Sequence, residues 1–194
     1  PQGPANPALT MLLPIFQCSA DNRVLRVQTA VGIEVALASY MGVSGVRGDN
    51  AGGREGLLSV NRRIKFAEVR DGLSSTLMVA ERPPSRDLAF GWWFAGAGYD
   101  NSGAGDVVLG TRDEGYAAYV RKADGTSCGP SGVGLRPGSL NESCDQSHFW
   151  SLHASGTNGL FGDGSVRFIR QTITQQTLCA LSTRLGGEVI TEEF

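Results

Sequence analysis

A short strand segment, NGLFG (158–162), and an alternating run, SVRFI (165–169), flank Asp163-Gly164, and this arrangement constrains the fold more than any other stretch of the chain. Asp-Gly between alternating segments signals a β-hairpin, because glycine supplies the positive φ that a tight turn needs. The reading is a two-residue loop, with Val166, Phe168 and Arg170 on alternate positions of the returning strand. Glycine elsewhere points the same way. There are 27 glycines in 194 residues, about twice the average usage of roughly 7%, spread without a period. Many turns joining short strands account for that better than a fibrous or low-complexity chain.

Further elements follow from local pattern. ALASYMGVSG (36–45) alternates between glycines and reads as a strand. SSTLMVAER (74–82) reads as a buried strand ending at Glu81-Arg82, stopped by Pro83 and Pro84. LAFGWWFAGAG (88–98) reads as another strand, and Ala67–Val69 as a single helical turn. Residues 99–147 form an irregular, glycine-rich insertion, with short strands expected at DVVLG and YAAYV. HFWSLH alternates ahead of the hairpin. Apolar positions 178, 181 and 185 have helical spacing, so 173–188 is expected to be a helix stopped by Gly186-Gly187, with Thr172 and Gln175 as a capping box. The predicted fold class is α+β, mostly β: a single head domain over 1–194, built of antiparallel strands with long Gly-rich loops and a C-terminal helix.

The charge pattern excludes one class of partner. Fifteen Arg and two Lys against nineteen acids give a net charge of −2, with neither sign gathered into a block. No basic stripe for nucleic acid is present. No apolar run reaches the roughly 20 residues of a membrane helix. The chain opens PQGPANPAL without a methionine, so an absent leader here carries little weight. Four cysteines stand at 18, 128, 144 and 179, with no C-x-x-C and no zinc-module spacing, which argues against a metal–thiolate site. An even count in a loop-rich chain favours disulfides and an oxidising compartment. Three pairings are allowed. The expected one is Cys128–Cys144 closing the long loop and Cys18–Cys179 tying the two ends.

Candidate chemistry is sparse. His153 and Asp163 invite a hydrolase reading, with Ser151, Ser155 or Ser165 as nucleophile, but no serine sits in a G-x-S-x-G elbow. Asp163 in a tight turn more naturally accepts local amides, and His153 is read as fixing the strand or turn. Asp100, Asn101 and Asp106 in YDNSGAGD are calcium candidates, although their spacing is not that of an EF-hand. His148 and His153, five apart, fall on opposite faces of a strand and so do not share a metal. The glycine-rich loops lack the Lys-Ser/Thr of a phosphate loop. Trp92 and Trp93, adjacent on a strand, place one ring in the core and one at the rim, the latter a possible interaction surface.

Several segments together carry a family resemblance. LLPIFQCSAD resembles a leucine-proline-x-phenylalanine-x-cysteine-x-x-aspartate segment, and LASYMGVSG a tyrosine-x-glycine strand. RIKFAEVRDGLSSTLMVAER resembles an aspartate-glycine-x-serine-asparagine-threonine stretch ending in Glu-Arg, and FWSLHASGTNGLFGDGSVRFI a His, nine residues, Asp-Gly region. The chain resembles the bacterial prepilin-type processing-associated H-x(9)-D-G domain family, formerly labelled a solute-binding protein family. The likeness covers residues 11–82 and 148–188. Ser19 stands where the family usually has Pro, and Ser75 where it usually has Asn. The family's N-terminal apolar helix is not in this sequence, so the chain is expected to be the head of a longer protein or a mature form without its anchor.

The resemblance implies a pilin- or pseudopilin-like subunit with a β-rich head facing outward. It carries no catalytic residues over; His153, Asp163 and Gly164 enter only as the structural signature. The expected function is that of a non-enzymatic structural or interaction protein, extracellular, cell-surface or periplasmic. Its expected partners are itself or other pilin-like subunits, and a membrane would be met only through the absent helix. Neither a cofactor nor a small-molecule substrate is expected. The alternative is an extracellular module binding glycan or calcium through the 99–147 loops and Trp92/Trp93.

Overall fold

The computed structural model describes residues 7–30, 33–48, 54–59, 62–93 and 107–194. Its frame is a five-stranded sheet of β3 (Tyr40–Gly45), β4 (Leu77–Glu81), β5 (Val108–Gly110), β6 (Gly156–Phe161) and β7 (Val166–Arg170) in the order β5-β3-β4-β6-β7. A separate antiparallel ribbon pairs β1 (Gln28–Ala30) with β2 (Ile33–Val35). The fold is therefore α+β and mostly β. The sheet is mixed, because β5 runs parallel to β3 while the other pairings are antiparallel.

The hairpin forms where the sequence places it, with one more residue in its loop. Phe161 N–H donates to Ser165 O and Gly164 N–H to Phe161 O, so Gly162, Asp163 and Gly164 make a three-residue turn. Gly164 takes the left-handed position at φ +86°, the geometry of a three-residue loop closed by a glycine bulge. Asp163 Oδ1 accepts the Ser165 amide and hydroxyl at 2.9 and 2.7 Å, and these bonds hold its carboxyl below the usual range. In β7 the buried residue is Ile169. Val166 and Phe168 lie on the outer alternation and are exposed. The Phe168 ring folds over Gly156, where a Cβ would stand 2.5 Å from it.

Helix α2 (Gln175–Ser182) lies against β3 and β4 and drives Leu178 and Leu181 into a core with Val43, Leu77, Phe149, Phe161 and Ile169. Burying each of those leucines is worth at most about 1.5–3 kcal/mol. The cap is Thr174, whose side chain accepts the Thr177 amide, in place of the expected Thr172–Gln175 box. The helix also stops short of Gly186. Arg184 N–H donates to Glu55 O, its carbonyl accepts from Arg70, and its guanidinium binds the carbonyls of Arg54 and Gly56. A residue committed to two neighbouring segments, 54–56 and 70–71, has no backbone left for another helical turn.

The expected strand at YAAYV is instead α1 (Glu114–Tyr119), nucleated by Asp113, which accepts the Tyr116 amide at 3.0 Å and so caps the first turn. Of LAFGWWFAGAG, residues 88–93 form turns with a single bridge, Leu37 to Trp92. The rest falls outside the described residues. A second, smaller core gathers Leu9, Val24, Val35, Leu37 and Trp92.

Candidate functional site

Three chain-distant segments meet at the end of β4. The first is the N-terminal stretch. Pro14–Phe16 forms one tight helical turn, Ser39 N–H donates to Phe16 O, and the Cys18 amide donates to Ser39 Oγ at 3.0 Å. Beyond it, buried Asp21 accepts the Arg23 amide and pairs with its guanidinium at 2.7 Å. Cys18 is thus held from both sides, with its side chain turned inward.

Glu81, the last residue of β4, is the second component and only 1% exposed. Its Oε2 accepts three hydrogen bonds from β6: the Thr157 hydroxyl at 3.1 Å, the Asn158 amide at 2.6 Å and Asn158 Nδ2 at 3.2 Å. Its Oε1 is buried and receives no hydrogen bond from the described residues. One oxygen is saturated and fixes the carboxylate; the other faces the third component.

That component is His153. Trp150 N–H donates to Glu81 O at 3.1 Å, which seats the approach to β6 against the strand end. Ser151 Oγ then accepts the His153 amide and donates to Gly156 O, winding 151–156 into a tight loop in which Ser155 takes φ +67°. The loop delivers His153 Nε2 to 3.4 Å from Cys18 Sγ and 3.3 Å from Glu81 Oε1. Burial, and then the nearby Glu81 carboxylate, push the Cys18 thiol up, and the same causes in the same order raise the Tyr40 phenol. The His153 side chain stays 36% exposed, so the cluster opens to solvent on that side.

His153 and Asp163 do not act together. Strand β6 separates them, His153 before its start and Asp163 after its end, and six residues of strand span about 20 Å. The acid that faces His153 is Glu81. No serine hydroxyl is hydrogen-bonded to the His153 ring among the described residues; Ser151 serves its backbone alone. Nor does the ring sit as a triad base would, because Nε2 faces both the thiol and the carboxylate, whereas a relay uses one nitrogen for each. His148 goes elsewhere: it is fully buried, with Nε2 2.8 Å from Asp145 Oδ1 and Nδ1 3.0 Å from Phe149 O.

Cys128 and Cys144 are joined, as expected, across a separation of 16 residues. The expected Cys18–Cys179 bond is absent: both thiols are free. The fold commits Cys18 to His153, and Cys179, on α2, to Gln175 Nε2 at 3.3 Å. Trp92 is core, 2% exposed, and drops out of the interaction surface. Trp93 is half-buried, stacked on Phe16 at 5.9 Å, and donates its indole N–H to Met11 O. Asp100, Asn101 and Asp106 lie outside the described residues.

Sequence reasoning missed Glu81 as a site residue. The one available signal was its place at the end of a buried strand, where an acid needs a partner. Cys18, Glu81 and His153 each come from a different segment among those that carry the family resemblance. No curated protein and no solved structure matches the chain. Over residues 2–176 it matches the family described as "Protein of unknown function (DUF1559)". The chain therefore belongs to that family, the H-x(9)-D-G, prepilin-type group whose signature is His153, Asp163 and Gly164.

Proposed function

We propose that this chain is a structural and interaction module, the outward head of a pilin-like surface assembly, and that it turns over no substrate. The observation that carries the reading is a rigidly presented apolar stretch. Met11, Leu12 and Ile15 are 53%, 38% and 81% exposed. They sit on a segment pinned by buried Leu9, by Phe16 on Trp93 and by Cys18 on Ser39. A contiguous exposed apolar stretch on a fixed backbone is what a protein–protein contact uses. The disulfide supports an oxidising location. Asp163 and Gly164 support the non-enzymatic side, since their roles are accounted for by the turn.

Light scattering and electron microscopy of the full 194-residue chain test this. Concentration-dependent self-association, weakened in Ile15→Asp without a change in melting temperature, is the expected result. A monomer at every concentration, unaffected by Ile15→Asp, would overturn it.

A second reading has its own observation. A cleft of about 730 Å³ lies between residues 85–90 and α1, lined by Arg86, Asp87, Phe90, Tyr116, Tyr119 and Arg121. Aromatic and charged side chains in a concave site suit a glycan or another polar ligand. A melting temperature raised by glycans or calcium in a dispersed monomer selects this reading.

A further inference from the structure

We propose that Cys18 Sγ, Glu81 Oε1 and His153 Nε2 form a three-ligand site for a divalent transition metal of the zinc class, its fourth position open to solvent. Among the described residues this is the one place where three such side chains converge, each ligand atom within 4.8 Å of the others. The two separations made by His153 are those of a coordination shell. A tetrahedral ion with a metal–sulfur distance of about 2.3 Å and metal–nitrogen or –oxygen distances of about 2.0–2.1 Å sets its ligand atoms about 3.3–3.6 Å apart. His153 Nε2 stands 3.4 Å from the sulfur and 3.3 Å from the oxygen.

The donor set names the metal class. Thiolate and imidazole favour zinc and its neighbours; calcium and magnesium take oxygen. Glu81 carries the independent sign of a ligand. Its side chain is buried and aimed into the cluster, and among the described residues its Oε1 receives no hydrogen bond although Oε2 takes three from β6. Such donors to the non-ligating oxygen are the outer contacts that orient a metal-binding carboxylate. The single nitrogen facing both other groups, which argues against a relay, suits three lone pairs directed at one ion. The exposed edge of His153 leaves access for the ion and room for a water. On binding, the thiol proton leaves to solvent.

The site follows from no sequence spacing, since Cys18 and His153 are 135 residues apart. It would clamp the N-terminal segment to the central strand, and it stands whether or not the chain self-associates.

Cobalt(II) titration of the reduced, chelator-treated full chain, followed by its absorption spectrum and by zinc competition, tests the proposal. One cobalt per chain, with a thiolate-to-metal charge-transfer band and the intense ligand-field bands of four-coordination, is expected; zinc should abolish both. Cys18→Ser should remove the charge-transfer band, and Glu81→Gln and His153→Ala should weaken binding at least tenfold. Cys179→Ser should change nothing. Wild-type protein alone keeps the test decisive if a variant fails to fold: zinc should protect Cys18, and not Cys179, from alkylation, as read by peptide mass. A wild-type spectrum without the thiolate band, equal alkylation of Cys18 with and without zinc, or a band lost in Cys179→Ser in place of Cys18→Ser overturns the site.

Discussion

At the scale of the residue, the signature separates into parts with different jobs. Gly164 serves conformation alone: at φ +86° a Cβ there would meet nothing within 4 Å, so space is not the constraint. Gly164→Ala is expected to cost about 1 kcal/mol through backbone strain, with Gly164→Asn costing less, measured by chemical denaturation. Asp145 is a different case. Burial opposes its ionisation, but hydrogen bonds from His148 and the Ser139 amide, with Arg136 nearby, hold its carboxyl below the usual range. A depressed folded-state pKa means its stabilisation is present above the unfolded value of about 3.9 and is lost as pH falls through the folded one. The stability gap between wild type and Asp145→Asn should therefore shrink as the pH drops below about 4, as thermal melts across pH would show.

Among the elements, the irregular insertion owes its order to a staple and a cap. The Cys128–Cys144 bond closes a loop of 16 residues between α1 and the approach to β6. Loop-closure entropy puts removal of such a bond at about 3 kcal/mol. The double variant Cys128→Ser/Cys144→Ser should lose about that much, and intact mass of the unreduced wild-type protein after alkylation should show one disulfide and two alkylated thiols. Helix α2 depends in turn on Thr174; Thr174→Ala should cost about 1 kcal/mol by the same denaturation assay. Which elements form at all was only partly legible in local pattern. The run 74–82 declared itself by a short, continuously apolar segment stopped by Pro83 and Pro84, and 165–169 by its alternation, because burial on one face demands a period of two. YAAYV did not, since five apolar and aromatic residues fit a strand or a helix equally, and Asp113 chose the helix by capping it.

For the whole molecule, position in the sheet sets the order of opening. Strands β3, β4 and β6 are flanked on both sides, β5 and β7 are the edges, and the β1–β2 ribbon stands apart from the sheet. Native-state hydrogen exchange should find the slowest amides in β3, β4 and β6 and fast exchange in β1 and β2, because a strand with two neighbours opens only with both. Protection that is uniform across the seven strands would contradict this ordering.

What the sequence alone determined is what depends on neighbours in the chain: the Asp163-Gly164 turn, the strands around it and the family; for the cysteines it allowed three pairings and favoured one, of which the 128–144 bond across one loop formed. Turn geometry, strand periodicity and short-loop closure are local, so local pattern reports them. Only the tertiary structure decided the end of α2, through Arg184 and two other segments, and the fate of Cys18 and Cys179. It alone brought Cys18, Glu81 and His153 to within 4.8 Å of one another. Those outcomes follow from how strands β3, β4 and β6 register side by side, and register between strands distant in sequence is fixed by which faces bury together, a quantity that no short window of the sequence contains.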